Sequence, residues 1–585
     1  MVLHQYDYLF AIGTIFAFLD AWNIGANDVA NSWASSVSSR SLTYIQAMCG
    51  AVVLEFVGAV GVGGRVADTI RTKVVDVAAF EEAPALLMLG MTCAVIASSL
   101  YLTMATRLGM PVSTTHSILG GVLGMGVGAL GGNGVIWVGY KDDGSVNITK
   151  GVVQVFLAWI IAPLLSGVAG AIVFLITKYG VMLRQNPTMK GLCVIPFYFW
   201  LTSSLIVMLL LWKGGNYEVN LTEAQIPGVI VATGAGFALL VTIFLVPWIY
   251  RVVIKEDWQL KAYHIVQGPL LLRRGEVPPP PEDFQGVVRN FYDGHLTREE
   301  LDARRAQQAA EHSVDGDVEA QHEKKAADAA GSETSVNAEG AEAERKAGTY
   351  LREDGIIGPK PEGPWYTSSV LFWRLKWLLF RGVDIDIVSR QKTESVLSGD
   401  IEEIHARSRH YDNRTEFLYT FLQVLTASAA SFVHGANDVA NAVGPYATIY
   451  QVWQQNIVPE KSEVPVWILA FGGAGIAIGV WTYGYNIMSN LGNRITLMSP
   501  SRGFSMELGS VIAVVVATRL ELPVSTTQCI TGAIVGVGLC NGDWRAINWR
   551  MVAWIYLGWF ITVPTAGLIS GCLMGAITYA PNWSS

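Results

Sequence analysis

GANDVAN, residues 25–31, sits inside the first long apolar run of the chain, and the same seven letters return at residues 435–441. Each copy places a carboxylate (Asp28, Asp438) and two amides (Asn27 and Asn31, Asn437 and Asn441) in a segment that otherwise reads as a membrane span. An aspartate at the centre of a bilayer helix costs about 2.5–3.5 kcal/mol on insertion scales, so such residues mark functional sites by default. The rest of the sequence tells what these groups hold.

The 585 residues are 51% hydrophobic and only 15% charged, with a mean hydropathy of +0.37. Soluble domains carry about a quarter charged residues. Apolar runs fall near 8–27, 42–63, 85–106, 111–130, 151–177, 193–212 and 226–250, then near 416–436, 464–489, 505–519, 523–540 and 550–577. Each is near the length a bilayer demands. The fold class is therefore all-α: a polytopic membrane protein of about twelve transmembrane segments. The third and fourth runs are separated only by RLGMP (107–111), which predicts a re-entrant helical hairpin. Sixty glycines suit close helix packing in lipid. Six cysteines without CxxC spacing read as packing residues.

Three regions follow: an N-terminal membrane half over 1–250, a polar stretch over 251–415, and a C-terminal membrane half over 416–585. The polar stretch holds PPPP (278–281) and an Ala/Glu/Lys-rich run beginning at Arg304, a composition that predicts a largely disordered loop. A later piece, WYTSSVLFWRLKWLLFRG (365–382), reads either as an amphipathic helix on the membrane surface or as a helix packed on the bundle. Basic residues gather between the fifth and sixth spans and after the seventh, while the termini carry none. Both termini then lie outside and the central loop in the cytoplasm, with the sequons at Asn147 and Asn220 facing outward. RVADTIRTK (65–73) runs against that assignment.

A second motif pair, MATRLGMPVSTTH (104–116) and VATRLELPVSTTQ (516–528), lies 412 residues apart, close to the 410 that separate the GANDVAN copies. Two motifs at matching offsets signify an internal duplication. Seven spans before the loop make the second copy inverted. Inverted repeats with polar, interrupted helices at corresponding places point to a secondary transporter with its site at the midplane.

The residue types suggest the cargo. Pro followed by Ser and Thr is a helix-start signature, and a helix start directs unpaired N–H groups and a partial positive charge at one place. Ser113, Thr114 and Thr115 add hydroxyls in one copy, and Ser525, Thr526 and Thr527 in the other. Facing each other, they would grip a small tetrahedral oxyanion; the plainer alternative is hydrogen bonding within helix packing. Gly25 is expected to permit a helix break, with Asn27, Asp28 and Asn31, and in the second copy Asn437, Asp438 and Asn441, offering hard oxygen ligands to sodium or a proton. The alternative is that the aspartates serve as caps. Glu55 and Glu507 are further carboxylates in apolar runs, at positions that the repeat does not relate. Asp20 faces Ala430 across the repeat and is undecided. His116 is replaced by Gln528 and His434 by Ile24, so neither histidine is assigned a role in coupling.

Paired GANDVAN motifs, paired P-V-S-T-T motifs and a long loop between them resemble the inorganic phosphate transporter (PiT) family. SEVPVWILAFGG (462–473) and SPSRGFSMELGS (499–510) are most similar to its fungal sodium-coupled symporters. The resemblance implies a sodium-coupled symporter that imports inorganic phosphate across the plasma membrane by alternating access. It implies phosphate on Ser113, Thr114, Thr115, Ser525, Thr526 and Thr527, and sodium on Asn27, Asp28, Glu55, Asn437, Asp438 and Glu507. Many relatives carry His where this chain has Gln528. The expected partners are phosphate, sodium and membrane lipid, with no nucleic acid, no catalytic residue and no cofactor beyond the co-transported sodium. The sequence leaves open a homodimer, the regulators of the loop, and a proton-coupled phosphate or sulfate carrier as the rival function. A channel would need a continuous polar lining, and no phosphate-cradling loop, metal-spaced His pair or nucleophile elbow suggests an enzyme.

Overall fold

The computed structural model describes residues 2–65, 74–140, 144–147, 150–213, 221–282, 284, 286–308, 355–392, 397–458, 464–519 and 524–579. The helices that build the membrane unit before the loop are α1 (Asp7–Ser38), α2 (Tyr44–Val62), α3 (Pro84–Arg107), α4 (Thr114–Leu130), α5 (Val153–Thr177), α6 (Pro187–Lys213) and α7 (Ile226–Leu240). In the loop lies α8 (Ser368–Phe380), and after it come α9 (Asn413–Gln455), α10 (Val466–Tyr483), α11 (Pro500–Arg519), α12 (Thr526–Leu539) and α13 (Trp549–Tyr579). Nine helices among the described residues are long and apolar enough to cross a membrane. With α11 and the shorter apolar helices α4 and α12 they account for every expected segment.

One expectation is corrected. Gly25 does not break its helix: α1 runs unbroken through GANDVAN, as α9 does through the second copy. The glycines serve a close crossing instead. A Cβ on Gly25 would overlap the carbonyl of Ile476 on α10, and one on Gly435 would overlap the carbonyl of Glu55 on α2. Gly479 against Trp22 and Gly58 against Phe432 complete the reciprocal pairs. Small residues that admit a neighbouring backbone are how helices associate in lipid.

The same notches establish the repeat in three dimensions. Gly120 and Gly124 on α4 admit the carbonyls of Val563 and Gly567 on α13, and Gly532 and Gly536 on α12 admit those of Pro163 and Gly167 on α5. Helices α1 to α5 thus correspond to α9 to α13, with α6 and α7 as the extra spans. Inversion is visible where α1 meets α9: Leu3 N donates to Trp453 O at one end, and Ser39 Oγ to Gln423 Oε1 at the other. The two helices are antiparallel and cross at their GANDVAN segments.

The true interruption lies between α3 and α4. Gly109 adopts φ +70, Pro111 prevents helix continuation, and Ser113 caps α4 by accepting from His116 N at 3.2 Å. Irregular backbone at membrane depth is tolerated only when buried in protein, and residues 109–113 are buried. The second hairpin is described from Val524 onward, so Pro523 lies outside the described residues.

Much of the polar run beginning at Arg304, and Asn220, also lie outside the described residues, as do residues 66–73 of the basic segment. The flanking parts of the loop fold back on one end of the bundle. Asp293 accepts from Arg40 at 3.0 Å, and Tyr292 donates to the buried Glu416 at 2.8 Å. Gln391 receives Ser38 Oγ at 3.0 Å. Helix α8 packs Val370 and Trp373 inward, and Trp481 on α10 donates to Leu379 O at 2.7 Å. Leu371, Phe372, Leu375 and Leu378 on its other side are exposed.

If backbone contact requires the crossing glycines, Gly25→Ala and Gly435→Ala should each lower thermal stability, at about 1–3 kcal/mol for overpacking. Gly61→Ala, whose Cβ meets nothing within 4 Å, is the neutral control. Thermal melting of the purified protein in detergent compares them. A Gly435→Ala protein that melts with the Gly61→Ala control would refute the crossing argument.

Candidate functional site

Where α1 crosses α9, the two hairpin tips converge on the two aspartates. Thr114, at the start of α4, donates to Asp28 Oδ2 at 2.8 Å, and Thr527, at the start of α12, donates to Asp28 Oδ1 at 3.1 Å. Thr526 donates to Asp438 Oδ2 at 3.3 Å. Asp28, Asp438 and the three hydroxyls are all buried. One carboxylate from α1 therefore touches both hairpins.

The outer amides of GANDVAN reach across the repeat. Asn31 Nδ2 donates to Thr527 Oγ1 at 2.8 Å and more weakly to Thr526 Oγ1 at 3.4 Å. Its repeat mate Asn441 donates to Thr115 Oγ1 at 3.1 Å and Thr114 Oγ1 at 3.2 Å. Each half thus holds the hairpin of the other. Asn27 instead serves its own half: it donates to Thr106 Oγ1 at 3.0 Å and Met110 O at 3.1 Å and accepts from Val112 N at 3.1 Å. These bonds satisfy backbone that the hairpin leaves without helical partners.

The remaining expected residues divide. Ser113 and Ser525 are buried at the N-cap positions of α4 and α12, and Thr115 lies beside Thr114 against Asn441. Asn437 is half-buried on α9. Glu55 joins the centre through His434, whose Nδ1 lies 2.5 Å from Glu55 Oε2 while its Nε2 lies 3.0 Å from Asp438 Oδ2 and 3.6 Å from Asp28 Oδ2. Ser431 donates to the other Glu55 oxygen at 3.1 Å. Glu507 is not brought to this centre. It accepts from Ser35 and Ser36 on α1, at 2.5 and 2.9 Å, and from Thr426 on α9 at 2.5 Å. Ser35 is two turns, about 10 Å, along α1 from Asp28.

His434 is the residue that sequence reasoning set aside. Its signal was local: it stands four residues before Asp438, the spacing that puts two side chains on one helical face. Asp28, His434 and Asp438 present ligand atoms within 4.8 Å of one another, a set able to hold a metal ion. With Glu55, three carboxylates surround one imidazole. When the carboxylates are ionised, the imidazole balances at most one of them, so the centre attracts cations. The helix starts and hydroxyls beside it suit an anion, and each charge lowers the cost of burying the other.

The phosphate transporter family matches residues 24–570 of this chain. The chain is 61% identical to a phosphate-repressible phosphate permease of Neurospora crassa, over 100% of this chain and 99% of that protein. It is 27% identical to sodium-dependent phosphate transporter 2 of Felis catus, over 99% of each. A solved structure described as the sodium-dependent phosphate transporter superposes with a TM-score of 0.61 at 25% identity, covering 98% of this chain and 100% of that one.

The geometry separates the two glutamates energetically. His434→Gln combined with Glu55→Gln should show a coupling of about 0.5–3 kcal/mol in a double-mutant cycle of unfolding, as residues in one network do. His434→Gln combined with Glu507→Gln should be additive within about 0.5 kcal/mol. Equal coupling in both cycles would contradict a single centre built on His434.

Proposed function

The chain belongs to the phosphate transporter family, and from that premise we propose that it imports inorganic phosphate together with sodium, by alternating access at the crossing of α1 and α9. It is a transporter, not an enzyme. The observation that carries this reading is the convergence of two inverted Ser-Thr-Thr helix starts on two buried aspartates. In it, Ser113, Thr114, Thr115, Ser525, Thr526 and Thr527 take the phosphate. Asp28, Asp438 and Glu55 take sodium, and Glu507 offers a separate cation position nearer the C-terminal end of α1. Asn27 positions the first hairpin, and His434 ties Glu55 to the aspartates.

The same hydroxyls link the two cargoes. A threonine has one hydroxyl proton; Thr114 and Thr526 direct theirs at aspartate oxygens, and Thr527 divides its own between Asp28 Oδ1 and Val112 O. A sodium ion on those oxygens supplies the positive charge that the proton supplied and frees the hydroxyl to donate to a phosphate oxygen. Sodium binding thereby prepares the anion site, and phosphate in turn lowers the cost of holding sodium. That reciprocity is what thermodynamic coupling between two ligands requires.

The membrane halves 1–250 and 416–585 form the transport unit in this reading, and 251–415 is a cytoplasmic loop in a plasma-membrane protein with both termini outside. Lipid covers the apolar side of α5, where Phe156, Ile160, Leu164 and Val168 are exposed at helical spacing.

Labelled phosphate uptake into proteoliposomes, with sodium or choline outside, tests the reading directly. Asp28→Asn and Asp438→Asn should each abolish sodium-driven uptake, because the amide keeps the shape and loses the counter-charge. Thr114→Val and Thr526→Val should each weaken phosphate binding about tenfold or more, the loss of one charge-assisted hydrogen bond. Uptake that is equal in choline would reject sodium coupling, and a valine variant with unchanged affinity would leave the anion on one hairpin only.

A further inference from the structure

One buried carboxylate belongs to none of these clusters. Asp20 lies on α1 eight residues before Asp28, with its side chain fully buried. Neither of its oxygens makes a well-aligned hydrogen bond among the described residues, where only the Ser98 and Ser99 hydroxyls stand beside it, and no Lys, Arg or His there stands within ion-pair distance. Its counterpart in the second half is Ala430, so it stands outside the duplicated machinery. An ionised carboxylate with no compensating group costs several kcal/mol to bury.

Its neighbours are oxygens. Ser98 and Ser99 of α3 flank it. Ser99 Oγ donates to Phe16 O at 2.8 Å and Ser98 Oγ donates to Ser117 Oγ of α4 at 3.1 Å. Each hydroxyl therefore has an acceptor for its proton other than Asp20, and can turn a lone pair to a cation instead. One turn further, Asn23 donates to Ser99 O at 3.2 Å and Thr103 Oγ1 at 2.9 Å. That clasp fixes α3 against α1 at this level, so the oxygens are held in place.

We propose that Asp20, with the hydroxyl oxygens of Ser98 and Ser99, binds a sodium ion at a site of its own, about 12 Å along α1 from Asp28. Hard oxygen ligands suit an alkali or alkaline-earth cation over a transition metal. A single carboxylate balances a monovalent ion and would leave a divalent one with net charge in a buried place. The site is asymmetric between the repeats, so the chain binds sodium at a position that its second half lacks. The inference rests on the sodium-coupled reading above.

Equilibrium binding of radiolabelled sodium to the purified full-length protein in nanodiscs, without phosphate, tests it. Asp20→Asn should bind one sodium fewer per chain than wild type, and Asp28→Asn in parallel should lose sodium from the central site while retaining this one. Ser98→Ala, a neutral change that removes one ligand oxygen, should weaken the Asp20 site about fivefold, the value of one modest polar contact. Equal sodium counts in wild type and Asp20→Asn overturn the proposal while leaving sodium coupling intact. If Asp20→Asn does not fold, unchanged sodium affinity in Ser98→Ala overturns it. A wild type that binds no sodium at all removes the sodium-coupled reading, and this site with it.

Discussion

Two helix starts placed in the middle of a membrane leave backbone groups that neither water nor lipid can satisfy, and the whole arrangement answers that constraint. The answer is an exchange. Asn27 closes the backbone of the first hairpin at Met110 and Val112, while Asn31 and Asn441 each reach the hairpin of the opposite half. For those short side chains to reach, α1 and α9 must cross at GANDVAN. The crossing in turn requires α2 and α10 to come to backbone contact at Gly435 and Gly25. The glycines, the amides and the aspartates of one heptapeptide are thus three parts of a single packing solution.

What the sequence made legible was what duplication amplified. The repeat, the hairpins, the paired aspartates and the Ser-Thr-Thr starts each occur twice, and two matching offsets carried their assignment. The behaviour of Gly25 was not legible, because a glycine among polar residues reads as a break. Its actual reason, the Ile476 carbonyl, lies more than four hundred residues away. The position of Glu507 was hidden similarly, since a carboxylate in an apolar run does not declare its depth relative to another.

His434 shows the limit of reasoning from repeats. Dismissing it because its counterpart is Ile24 assumed that function respects the symmetry. The glycine notches pair Gly58 with Gly479, which makes Ile476 the counterpart of Glu55. At one interface the chain therefore places the ion-pairing couple Glu55 and His434, and at the equivalent interface the apolar couple Ile476 and Ile24. Both members differ together, as burial demands: either charged residue alone opposite an isoleucine would be an uncompensated polar group in the bundle. The asymmetry that counted against His434 is coherent once Glu55 is taken with it.

That asymmetry has a physical consequence for transport. Two inverted halves of equal sequence would present the same site to either side, and the direction of net flux would come from the gradients alone. Gradients still set the direction here, since no arrangement of binding groups changes the overall driving force. In the alternating-access reading proposed above, what unequal halves change is the affinity offered by each conformation. Glu55 and His434 join the crossing from one half only, Glu507 binds its donors two turns along α1, and Asp20 lies two turns the other way. Acidic groups are thus spaced at three levels along a helix that passes through the centre. Spreading the negative charge in this way keeps Asp20 and Glu507 away from the three carboxylates at the crossing, which lowers the mutual repulsion of buried like charges.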